Sequence, residues 1–144
     1  MIAVDTNILV YAHRSDSPFH EVALTSIKTL AEGKKAWAIP WLCVHEFYGV
    51  VTHPRRYAPP STQAQAADQL DAWLESPRLQ LLGESKGHWP ALRTLLTAGK
   101  VAGAMVHDAR IAAICAEHGV RELWTADRDF SRFPALKCRN PLLG

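Results

Sequence analysis

The 144-residue chain has no long hydrophobic run, and nothing in it approaches the roughly 18 consecutive apolar residues of a membrane span, so no membrane role is expected. Cysteine is scarce. Cys43, Cys115 and Cys138 are scattered and form no CxxC pair, which excludes a disulfide framework or thiolate zinc site of the usual spacing. They are expected to act as small core hydrophobes. Charge of one sign is lacking too: a net charge of +2 is too small to identify a nucleic-acid binder by composition. The start MIAVDTNILV carries an acidic residue at position 5 and no basic n-region, so no secretory leader is expected and a reducing, bacterial-type cytosol fits best.

Several signatures of chemistry are also absent. There is no GxGxxG after the first apolar run, no GxxxxGK[ST] phosphate loop and no GxSxG nucleophile turn. His45, His53, His107 and His118 make no HExxH or comparable zinc array. No repeat, heptad register or low-complexity tract divides the chain, so a single domain over residues 1–144 is expected, large enough for a real core.

What is present alternates short apolar runs with longer amphipathic ones. Strands are predicted at 2–5, 36–40, 79–83, 121–127 and 136–140. Helices are predicted from Asn7, over 17–33 with Gly33 at the C′ position, from 41 to at most 53, over 61–75, 87–99 and 105–118, with Gly119 as a stop. In the 61–75 helix the repeating positions are Ala67, Leu70, Trp73 and Leu74. Strands separated by helices of this length imply an α/β fold with a parallel central sheet of about four to five strands. Sites in such sheets form at the carboxyl ends of the strands.

Four carboxylates stand out against that frame. Asp5 and Asp127 each follow a candidate buried strand, which places both at the ligand-binding edge. Glu46 lies within WLCVHEFYGVV, flanked on its own face by Leu42, Cys43, Gly49 and Val50, with no obvious solvent face on the helix. Asp108 lies on a stripe with Met105, Ile111, Ala112 and Cys115. Singly, Asp5 and Asp127 are explained as turn or helix caps, and Asp108 as an N-cap if its helix starts late. Together the four favour a shared acidic pocket. Converging carboxylates repel one another unless a cation compensates them, and Mg²⁺ suits a few carboxylates plus water and phosphate oxygens.

VDTNILVYA, the HEF helix, HDARIAAIC and LWTADRDFSRF followed by NPL resemble the PIN-domain ribonucleases, more narrowly the VapC-type toxins of bacterial toxin–antitoxin pairs, along essentially the whole chain. The resemblance implies a single PIN-like α/β domain and a Mg²⁺- or Mn²⁺-dependent endoribonuclease that cuts structured RNA, tRNA or rRNA, to restrict translation. It implies a metal-binding quartet of Asp5, Glu46, Asp108 and Asp127, with Asp5 and Asp108 the direct ligands and Glu46 and Asp127 on a second metal or acting through water. Asn7 and Thr125 match positions that orient a carboxylate or water, and Asp129 matches a variable acidic position. It further implies a homodimer and inhibition by a small VapB-type antitoxin, whose N-terminal part binds DNA and whose C-terminal tail crosses the toxin. Trp37, Trp41, Trp73 and the apolar faces near residues 9–30 and 41–76 are candidates for a partner groove, although tryptophan is more often core. Arg55, Arg56, Arg110, Arg128 and Arg132 are candidates for RNA phosphate contacts. Nuclease action on another nucleic acid and a non-catalytic RNA-binding module are the alternatives.

Overall fold

The structure, a computed structural model, describes residues 1–143. Five parallel strands make one sheet in the order β3-β2-β1-β4-β5: β1 is Ile2–Val4, β2 Trp37–Pro40, β3 Leu79–Leu82, β4 Glu122–Trp124 and β5 Lys137–Arg139. Among the described residues the α-helices are α1 (Thr6–His13), α2 (His20–Glu32), α3 (Trp41–Val51), α4 (Gln63–Leu74), α5 (His88–Ala98) and α6 (Val106–Glu117). The chain builds outward from β1 to β3 and then returns to the other side of β1 with β4. Because such crossovers are right-handed, the α5–α6 pair covers the face opposite that covered by α1 to α4. Burial on both faces explains why β2, WAIP, has no polar alternation and is buried at every position. None of these helices is long and apolar enough to cross a membrane.

The core runs from the central strands into α1, α3 and α6 through Trp37, Phe47, Ile8, Leu9, Ile114 and Leu123. Trp37 and Trp73 belong to it, whereas Trp41 is exposed, so only one of the three tryptophans remains available to a partner. In α4 the buried positions are Ala66 and Trp73; Ala67 and Leu74 face solvent, because the helix docks one narrow stripe against Phe47. The helix start expected at Ser17 falls at His20 instead, since the Ser17 hydroxyl accepts from Phe19 N–H and makes a turn there. Gly33 ends α2 in extended rather than left-handed backbone (φ −76°). A Cβ there would stand 2.9 Å from the Thr29 carbonyl, so close approach is what calls for glycine. Cys43 and Cys115 are buried as expected. Cys138 is exposed, because β5 is an edge strand whose Lys137 and Arg139 also face water, a composition that discourages further strand pairing.

The α4 start carries a complete capping box: Thr62 Oγ1 accepts from Gln65 N–H at 3.1 Å, and Gln65 Oε1 accepts from Thr62 N–H at 2.9 Å. Thr62→Ala is expected to lower stability by about 1 kcal/mol in a urea melt, leaving the slope unchanged.

Candidate active site

The strand order reverses between β1 and β4, and the ends of these strands are locked together at that point. Asp5 N–H donates to the Trp124 carbonyl at 2.9 Å, and Asn7 Oδ1 accepts from Ala126 N–H at 3.1 Å. A cleft of about 290 Å³ opens there, lined by Asp5, Glu46, Asp108 and Asp127 together with Thr6, Asn7, Tyr11, Arg56, Tyr57 and His107. Thus β1, α3, α6 and the segment after β4 each bring one carboxylate to the same hollow.

Asp5 is only 6 % exposed. It caps α1 by accepting from Thr6 N–H at 2.7 Å, and it also accepts from the Thr125 hydroxyl at 2.8 Å, from Asn7 Nδ2 at 3.5 Å and from the Cys43 thiol at 3.6 Å. Burial raises its pKa against the pull of these donors. Capping and a place in the cleft wall therefore coexist in one residue. The same holds for Asp127, which accepts from Asp129 N–H at 2.8 Å to start the 3-10 turn over residues 128–132. Asp108 is the third residue of α6 rather than its N-cap. Burial first, then the charges of Asp127, Asp5, Asp129 and Glu46, push its pKa to about 6. It is the carboxylate on which all the others converge.

Glu46 departs from expectation. The helix does have a solvent face, formed by Trp41, His45 and Tyr48, while Leu42, Cys43, Phe47 and Val51 pack inward. Glu46 is itself exposed on that face, at the rim of the cleft. Partial burial, then the Asp5 charge, raises its pKa, and His107 and Arg110 oppose the rise. His107 and the tyrosines of the wall are not distinguishable in the sequence, since a single His or Tyr at helical spacing carries no signal.

The five arginines separate by location. Arg56 lines the cleft, and Arg128 lines the adjoining groove that shares Asp127. Arg55 is exposed outside both. Arg110 is paired with Glu84, and Arg132 donates to the Gly99 carbonyl at 3.1 Å at the end of α5. These last two are held by long-range partners that the sequence does not reveal.

The donor set suits a hard divalent cation. Carboxylate oxygens of Asp108, Asp127 and Asp129 lie within 4.8 Å of one another, and every acidic donor offers oxygen rather than sulfur. Asp129 thus joins the cluster more closely than its position outside the quartet suggests. Thr6 Oγ1, in the cleft wall and 8 % exposed, has no hydrogen-bond partner among the described residues. A buried orphan hydroxyl next to clustered carboxylates fits a site that takes up an ion with its water.

The PIN domain family profile matches residues 2–136. The chain belongs to the PIN-domain family. It is 35 % identical over 144 residues to Ribonuclease VapC43 of Mycobacterium tuberculosis, covering 100 % of this chain and 97 % of that one. It is 31 % identical over 140 residues to Ribonuclease VapC48 of the same organism, covering 97 % of each. Its fold matches that of VapBC2 from Rickettsia felis, solved bound to a promoter DNA fragment, with a TM-score of 0.68 at 24 % identity over 97 % of this chain and 98 % of that one. It also matches VapC20 of Mycobacterium tuberculosis, a sarcin-ricin loop cleaving toxin, with a TM-score of 0.65 at 16 % identity over 91 % and 93 %. The chain is accordingly a PIN-domain ribonuclease of the VapC type, from a family of divalent-metal-dependent nucleases.

Within this PIN domain, Thr125 is the residue that ties the carboxylates together. Its hydroxyl donates to Asp5 Oδ2 and accepts from Asn7 Nδ2 at 3.3 Å and Asp127 N–H at 3.0 Å. Thr125→Val keeps the shape and removes all three bonds. RNA cleavage is expected to fall by about 10- to 100-fold while circular dichroism stays native.

Proposed function

We propose that this protein is the toxin of a toxin–antitoxin pair, an endoribonuclease that uses Mg²⁺, or Mn²⁺ in its place, to hydrolyse a phosphodiester in tRNA or rRNA in the cytosol. The convergence of Asp5, Glu46, Asp108 and Asp127 on one cleft at the reversal of strand order carries this reading. The identity to ribonucleases supports it.

Asp5 and Asp108 are the direct ligands in this reading; Glu46 and Asp127 hold a second ion or a water, and Asp129 widens the acidic floor. The ion, when bound, supplies the Lewis acidity that polarises a phosphodiester and activates a water. The chain's own part is placement. Thr125 and Asn7 hold the Asp5 carboxylate in one orientation, and Asp127 is fixed by its own turn. In this reading Arg56 on the cleft wall and Arg128 in the adjoining groove that shares Asp127 take up phosphates. A small VapB-type antitoxin and a second copy of the chain are the proposed partners. The exposed apolar residues Trp41 and Tyr48 on α3 and Phe19 and Val22 near α2 offer surface for them.

The reading is tested by inducing the chain in cells with and without the product of the short reading frame expected beside its gene, then sequencing RNA 5′ ends. A discrete new end in one stable RNA, with growth arrest relieved by the second gene, is expected. Unchanged RNA ends on induction would exclude a ribonuclease toxin.

A further inference from the structure

Arg56 and Tyr57, from the connection between α3 and α4, form a wall of the acidic cleft that takes no part in holding the ion. This connection has no regular element of its own: Arg56 N–H and Tyr57 N–H donate to the His53 carbonyl, Arg55 N–H to the His53 ring at 3.0 Å, and Ser61 N–H to the Val51 carbonyl at 2.8 Å. It is held from outside the cleft by two residues at the end of α1. Arg14 donates to both Asp16 oxygens at 2.9 and 2.7 Å, to the Pro59 carbonyl at 3.0 Å and to the Ser61 hydroxyl at 3.2 Å. Its guanidinium carbon stands 4.2 Å from the centroid of the Tyr57 ring. His13 bridges the same Ser61 hydroxyl at 2.9 Å and Gln69 at 3.1 Å.

The Arg14 side chain is only 11 % exposed, an unusual degree of burial for a charged group in a surface connection. A guanidinium so fully bonded is rigid, and it fixes whatever it covers. What it covers is a partly buried aromatic ring that packs against the core and lines the cleft. A ring held in place before binding loses little freedom when a flat base stacks on it.

We propose that Tyr57 is the stacking platform for a nucleobase beside the scissile phosphate, and that Arg14 is a positioning residue that holds the ring there. The inference rests on the RNA-cleaving reading for its biological meaning, but RNA binding tests it independently of cleavage. Arg56, the neighbour in sequence, contacts the phosphate of the same nucleotide, so one short segment reads base and backbone together.

The test is fluorescence anisotropy of the full chain with a fluorescein-labelled single-stranded RNA in EDTA, where no cleavage occurs. Tyr57→Leu is expected to weaken binding about tenfold, and Tyr57→Phe, which keeps the ring, to stay within about twofold of native. Arg14→Gln should weaken binding comparably, and the Arg14→Gln/Tyr57→Leu double variant should be no weaker than Tyr57→Leu alone, because Arg14 acts through the ring. An abasic oligomer of the same length should not distinguish Tyr57→Leu from native. Native affinity in folded Tyr57→Leu overturns the proposal, and so does an equal loss with the abasic oligomer. If Arg14→Gln does not fold, the Leu and Phe variants at position 57 still decide. Metal-dependent cleavage by the native protein together with unchanged binding by Tyr57→Leu rejects the platform alone. Absence of any such cleavage rejects the nuclease reading, whatever the binding shows.

Discussion

Asp5→Asn is expected to remain folded and to lose RNA cleavage by about a thousandfold or more, the scale of losing a group that acts with its neighbours as a unit. The substitution is nearly isosteric. Asn can still accept from Thr6 N–H, so the start of α1 is retained, but its amide group brings hydrogens to the side where Asp5 accepts from Thr125 and Asn7. More important, it removes one negative charge from the wall of the cleft. Burial already disfavours that charge, so its loss is tolerable to the fold and not to ion binding. EDTA should produce the same loss in the native protein, and Mg²⁺ should restore native but not Asp5→Asn. Native turnover in the variant, measured on the RNA cut in cells, would remove Asp5 from the machinery.

Asp108→Asn should make the metal-free protein more stable at pH 7. The Asp108 carboxyl is raised from 3.8 to about 6 in the folded chain. A raised value means that folding favours the protonated form. The associated stability is therefore complete below about pH 4 and is lost as pH rises through about 6. Carried in full, the displacement is worth at most ~3 kcal/mol. Asp108 is partly open to water, and screening reduces this to ~1 kcal/mol, a melting temperature about 3 °C higher for the variant. Glu46, also raised, adds in the same direction. Added Mg²⁺ should raise the native melting temperature and leave the variant's nearly unchanged, because only a site that binds in the folded state shifts that equilibrium. Thermal melts from pH 4 to 8 with and without Mg²⁺ check both statements; parallel native and variant profiles would mean that repulsion among the carboxylates is negligible.

The two acidic strand ends are legible in the sequence because they depend on local signals: an apolar run, then a turn-prone Asp. Strand ends in a parallel sheet share an edge whatever the details of packing. Asp108 is legible for a similar reason, from its place on the inward stripe of α6. Glu46 is legible as a member of the cleft but not as part of its rim. Nearly every position of α3 is apolar or aromatic, so periodicity alone does not say which side Trp41, His45 and Tyr48 leave to solvent. The arginines are least legible. Arg110 with Glu84 and Arg132 with Gly99 are set by contacts 26 and 33 residues apart in sequence, and Arg14 meets Tyr57 and Ser61 across the whole of α2, β2 and α3. Composition cannot tell an arginine that waits for phosphate from one already bonded.

The union of β1 with β4 bears on how such a protein is made. Asn7 and Thr125, and Asp5 and Thr125, are joined by bonds spanning 118 and 120 positions of a 144-residue chain. During synthesis Asp5 leaves the ribosome first and waits for 120 further residues before its partner Thr125 follows. A product that stops before β4 lacks Thr125 and Asp127 as well. Until β4 has emerged, the acidic cleft lacks the wall that Asp127 supplies.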